Sequence, residues 1–155
     1  MIETEKTYSI KLVNISTKEI TEHKLLVIEG LHPENGNILW KVEFDFFGDK
    51  IEVGKEYFLS NAIDGVRRII EPLYYRMLIR WCEIDAVQSG MIADMTAGRK
   101  FYKYEIVKKV NLGSIKQRRS RYKKAIFSVL AEALPENVVS LIEQETYRNE
   151  KYFSR

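Results

Sequence analysis

The sequence predicts an α+β fold, with an N-terminal antiparallel β-sheet or small barrel followed by middle helices and a C-terminal helical hairpin. Three observations predict it. Ile38, Trp40, Val42, Phe44 and Phe46 alternate with Leu39, Lys41, Glu43 and Asp45, the period-2 pattern of a half-buried strand. Ile69, Ile70, Leu73, Tyr74, Met77, Leu78, Trp81 and Ile84 fall on one helical stripe. Pro135 separates two further stretches whose apolar residues keep helical spacing. A chain of 155 residues suits a single domain, 1–155, divided into a mainly β part (1–60), a helical part (61–98) and a basic strand plus helical hairpin (99–155).

Taken in order, TYSIKLVNI places Tyr8, Ile10 and Leu12 at every second position, then slips phase at Val13 and Ile15. KLLVIEGL is an apolar run of strand length. Asn35-Gly36 after it is a hairpin signal, because both residue types tolerate positive φ. Gly48-Asp49 turns the chain into a strand carrying Ile51 and Val53. Residues 73–85 fit strand spacing as well, through Tyr75, Met77, Ile79 and Trp81, but length favours a helix. Gly90 and Gly98 bracket the short piece MIADMTA. RKFYKYEIVKKV reads as a last strand, Ser114 as the N-cap of a helix reaching Leu134, and PENVVSLIEQETYRNEKYF as a second helix.

Charge is distributed unevenly. Residues 99–124 hold eleven of the 25 Lys and Arg residues against the single acid Glu105, a net +10 in a chain whose total is +3. The remainder is acidic, and residues 1–60 alone carry −4. Phe101, Tyr102, Tyr104 and Tyr122 are interleaved with the cations. Lysine and arginine beside phosphates release condensed counterions, and aromatic faces stack on unpaired bases. The expected function is therefore non-catalytic nucleic-acid binding, with RNA or single-stranded DNA favoured. Phosphates are assigned to Lys116, Arg118, Arg119, Arg121, Lys123 and Lys124, with Lys100, Lys103 and Lys108 extending the track and Tyr102 or Tyr104 stacking. The alternative is a protein-interaction module, an adaptor, inhibitor or small oligomeric subunit whose basic face meets an acidic partner. A homo-oligomer built head to tail from the charge split falls under it. The bland account of the same cations is a solvated helix face paired with Glu132, Glu136, Glu143 or Glu145.

Other chemistries find little support. His23 and His32 are the only histidines and have no patterned carboxylate partner, so no metal site is expected. Glu22-His23-Lys24 has the Glu-x-Lys end of a metal-dependent nuclease motif without a convincing upstream acid. GDKIEVGK, from Gly48 to Lys55, has five residues between its glycines and Glu56 where a phosphate loop needs Ser or Thr. Cys82 stands alone, which rules out an internal disulfide and points to a reducing, cytoplasmic location. Its Trp-Cys-Glu context marks it as a core thiol. MIETEKTYSI lacks the pattern of a secretory signal, and the longest aliphatic run is four residues, Leu25–Ile28, so no membrane partner is expected. No cofactor, nucleophile or acid–base pair is legible.

Overall fold

A computed structural model describes residues 3–87, 96–112 and 115–150, with side chains described outside Val87 and residues 102–127. Alternation in the first sixty residues builds a curled antiparallel sheet. Its strands are β1 (Glu3–Asn14), β2 (Ile20–Leu31), β3 (Ile38–Phe46), β4 (Asp49–Glu56) and the short β5 (Tyr75–Met77), in the order β4-β3-β2-β1-β5. Each residue pair of the ladder follows from period 2. Tyr8 faces Leu25, which faces Phe44, and Phe44 faces Ile51, so one face collects the apolar side chains. Leu12, Leu25, Val42 and Phe44 have no solvent exposure. Lys41, Lys50, Glu43 and Glu52 form a charged lattice on the opposite face.

The turns differ in detail from the expected ones. Asn35-Gly36 lies inside a loop closed by the His32 amide donating to the Asn37 carbonyl at 2.7 Å, instead of forming a two-residue hairpin. The β3–β4 turn is centred on Phe47 (φ 52°) and Gly48 (φ 90°), one residue earlier than Gly48-Asp49. GDKIEVGK is accordingly a turn and a strand.

Helix α1 (Leu59–Ile70) covers the apolar face with Ala62, Ile63, Val66 and Ile70. Its approach to the sheet is close enough that a Cβ at Gly65 would lie 2.8 Å from a Val53 methyl. The predicted helical stripe then breaks. Pro72 has no amide to continue the helix, and one 3-10 turn (Glu71–Leu73) ends at Tyr74, whose φ is 73°. Over 73–85 the strand spacing is the better guide: β5 pairs with Leu12–Asn14, and Met77, Ile79 and Trp81 are all buried. Leu78 is buried as well, because its amide donates to Lys11 and its carbonyl accepts from Ala133, setting this segment between two others. A 3-10 turn (Arg80–Cys82) follows. Residues 88–95, which include Gly90 and most of MIADMTA, lie outside the described residues.

The largest correction concerns residues 114–134. The expected helix is instead the strand β8 (Ile115–Ser128), antiparallel to β7 (Lys100–Leu112), with the two-residue β6 (Ala86–Val87) on the other side of β7. The helical hairpin is therefore replaced by a β-hairpin, a 3-10 turn at Pro135–Asn137 and one helix, α2 (Leu141–Arg148). Helix preference of Lys, Arg and Gln amounts to only tenths of a kcal/mol per residue, roughly. A full-length antiparallel partner outweighs it. Helix α2 begins at a capping box in which the Ser140 hydroxyl accepts from the Glu143 amide at 3.1 Å.

A buried polar cluster clamps α2 to α1. Arg67 is fully buried and donates to Asp64 (3.1 Å), Glu71 (3.0 Å), Gln144 (2.6 Å) and the Val139 carbonyl (3.2 Å). The Trp81 indole N–H also donates to Asp64, and the Gln144 amide donates to the carbonyls of Trp81 and Glu83. Burial pushes the Asp64 carboxyl above its usual range, against the pull of Arg67 and the Trp81 N–H. Burial opposes the charge of Arg67, but Cys82, Glu71 and Asp64 together hold the guanidinium above its ordinary range. Since burial also pushes the Cys82 thiol up to about 12, the two carboxylates supply the counter-charge at neutral pH. Cys82 is thus the core thiol expected of it. Among the described residues no helix is long and apolar enough to cross a membrane.

Candidate nucleic-acid interface

The basic segment is held at its root. Phe101 has no exposure and meets Trp81 edge to face, centroids 5.5 Å apart. The Val129 amide donates to the Arg99 carbonyl at 2.9 Å, and β6 pairs with Tyr102 and Lys103. Just before the root, the chain caps α1. Phe58 offers no side-chain cap, so the first helical amides, Leu59 and Ser60, donate to the carbonyls of Ala97 (2.9 Å) and Gly98 (3.2 Å). Gly98 has φ 76°, and a Cβ there would stand 2.7 Å from the Leu59 nitrogen and 2.8 Å from the Phe58 Cα.

Beyond Lys103, β7 and β8 pair only with each other among the described strands. The ladder runs from Lys100 opposite Ser128 to Leu112 opposite Ile115, passing Tyr104–Lys123, Ile106–Arg121 and Val110–Arg118. Three register shifts interrupt it, and such bulges add local twist. At about 3.3 Å per residue the nine positions from Tyr104 to Leu112 extend roughly 30 Å. Eleven sequence-predicted residues are thereby carried on one two-stranded element: Lys100, Tyr102, Lys103, Tyr104 and Lys108 on β7, and Lys116, Arg118, Arg119, Arg121, Lys123 and Lys124 on β8. The cations of β8 follow a strand and not the 100° steps of a helix. Apart from Lys100, which is exposed, the side chains of these residues lie outside the described ones, as does the expected cap Ser114.

Two of the acids invoked to neutralise the segment are engaged elsewhere. Glu132 holds Lys11 at 2.9 Å, and Glu143 holds Arg76 at 2.8 Å. The other motifs resolve into structural roles. His23 is buried among Phe44, Phe46 and Phe47. Its Nδ1 lies 3.1 Å from the Asp45 carbonyl, which can only accept, so Nδ1 carries the proton and Nε2 accepts from the Thr21 hydroxyl at 2.7 Å. Glu22 and Lys24 point to the opposite face from His23, and no group of three metal-ligating side chains occurs among the described residues. Arg67 was not legible as a structural centre, since RR on a helix reads as surface. Its signal was only that Arg67 lies on the same stripe as Ile63 and Ile70.

No protein-family model matches the sequence, and a search of curated proteins finds no significant relative.

Proposed function

We propose that the protein binds nucleic acid without catalysis through the β7–β8 hairpin, RNA or single-stranded DNA ahead of sequence-specific duplex. The carrying observation is that the +10 segment coincides with one hairpin, rooted by a buried aromatic and paired beyond its root only with itself among the described strands. A cationic ribbon about 30 Å long matches the run of phosphates along roughly one turn of a nucleic-acid strand. The tyrosines interleaved with the cations favour unpaired bases, whose faces are available for stacking.

Replacing Arg118, Arg119 and Arg121 together by Ser tests this. Arg118 and Arg121 occupy ladder positions well past the root and Arg119 stands at the register shift between them, so folding is expected to survive. Affinity for a mixed-sequence single strand is expected to fall more than tenfold, and wild-type affinity to drop steeply between ~50 and ~200 mM salt. Unchanged affinity in the variant, or no salt dependence, rejects the proposal. An acidic protein partner is the competing reading. It is favoured by one feature, the outer edge of β8, unpaired among the described strands and open to strand addition. Self-association in light scattering at low salt, without nucleic acid, would support it.

A further inference from the structure

The apolar face of the sheet turns polar at one end, beside the root of the hairpin. Positions that continue the core rows of Tyr8, Leu25 and Phe44 are occupied there by Lys6, Thr4 and Glu29. Thr4 stands opposite Glu29, and Glu29 opposite Trp40. With Arg99 these residues border a cleft of about 230 Å³ whose floor is Trp40, Val27 and Leu59. Arg99 lies over the Trp40 ring at 5.7 Å, and Lys6 over the Tyr8 ring at 5.2 Å. Trp40 is 3% exposed, and its indole N–H is buried with no hydrogen-bond partner. The Glu29 carboxylate sits 4.0 Å from Arg99, too long for a hydrogen bond, and is one-third exposed.

A core face normally ends in apolar side chains or in water. Here it ends in two cations, each over an aromatic ring, around one carboxylate. We infer that this cleft receives a single unpaired base of the bound strand, guanine in preference, with Lys6 and Arg99 on its phosphate. The volume of about 230 Å³ admits a single base, leaving its sugar and phosphate at the rim. An ionised carboxylate only accepts hydrogen bonds. Guanine alone among the four bases offers two adjacent donors, N1–H and the exocyclic amine, to its two oxygens. Uracil and thymine offer one donor flanked by acceptors, which the carboxylate repels. Arg99 adjoins Lys100, so a strand lying on the hairpin has its nearest nucleotide at the cleft. The inference deepens the proposed hairpin function and rests on it for the source of the base.

The cleft is tested separately with mononucleotides on the intact chain. Guanosine 5′-monophosphate is expected to quench tryptophan fluorescence saturably, with a dissociation constant between about 10 μM and about 1 mM. Uridine 5′-monophosphate is expected to bind at least about tenfold more weakly. Glu29→Gln replaces one acceptor oxygen by a donor amide at the same size on a site one-third exposed, so it should fold and lose the guanine preference. The Arg118, Arg119 and Arg121 triple variant should keep mononucleotide binding while losing strand affinity. No saturable quenching by either nucleotide up to about 10 mM, or an unchanged preference in Glu29→Gln, overturns the cleft. An unchanged strand affinity in the triple variant overturns the hairpin instead, so the two failures are separable.

Discussion

Replacing Arg67 by Met removes the centre of the clamp between α1 and α2. The guanidinium donates to two carboxylates, one side-chain amide and one backbone carbonyl, and both carboxylates are only 10% exposed. Methionine restores much of the volume but none of the donors. Taking one partner out of a buried ion group costs about 3–5 kcal/mol, because the remaining charges stay desolvated. For a chain of this size each kcal/mol lowers the melting temperature by about 2–4 °C, so a fall of about 6–20 °C is expected. Urea unfolding followed by tryptophan fluorescence and by far-ultraviolet circular dichroism measures it, with coincident transitions required. Adding Glu71→Gln to the variant removes one uncompensated acid while keeping an acceptor for the Leu141 amide, which Glu71 now holds at 2.8 Å. The double variant should therefore lose less than the two single losses combined, by about 1–3 kcal/mol. A loss below about 1 kcal/mol for Arg67→Met, or strict additivity with Glu71→Gln, would refute the assignment of the clamp.

Two more outcomes are expected. Gly98→Ala places a methyl against the backbone of Phe58 and Leu59 at a positive φ, and should destabilise by more than the ~1 kcal/mol of an ordinary Gly-to-Ala strain, with α1 amides adjacent to the cap gaining hydrogen-exchange rate. Cys82 keeps its proton in the folded chain to about pH 12, while the unfolded thiol ionises at its ordinary 9.0. Its raised value leaves stability intact below pH 9.0 and removes it as pH climbs toward 12. Relative to Cys82→Ala, the wild type should lose about 1.4 kcal/mol per pH unit in that window, measured by urea titration at pH 8 to 10.5; a flat difference sinks the account.

The alternation of Ile38 to Phe46 and of Tyr8 to Leu12 was sufficient to place the first sheet, because period-2 burial is a local property of a strand with one wet face. Composition alone likewise located the +10 segment, since charge is additive along a chain whatever its fold. The end of α1 at Pro72 was not legible, because the apolar stripe from Ile69 to Ile84 keeps helical spacing across it, and neither was the strand after it, because 73–85 satisfies both periods. The fate of residues 115–128 was decided by pairing with β7, an interaction between segments whose strength no single window contains. The same holds for the two groups that meet only in three dimensions. Arg67 is joined by Gln144 and Val139 from more than seventy positions away, and Lys6, Glu29, Trp40 and Arg99 come from four different stretches. Local periodicity and charge are written residue by residue; long-range ladders and buried ion groups arise from closing loops, and so exist only once the chain has folded.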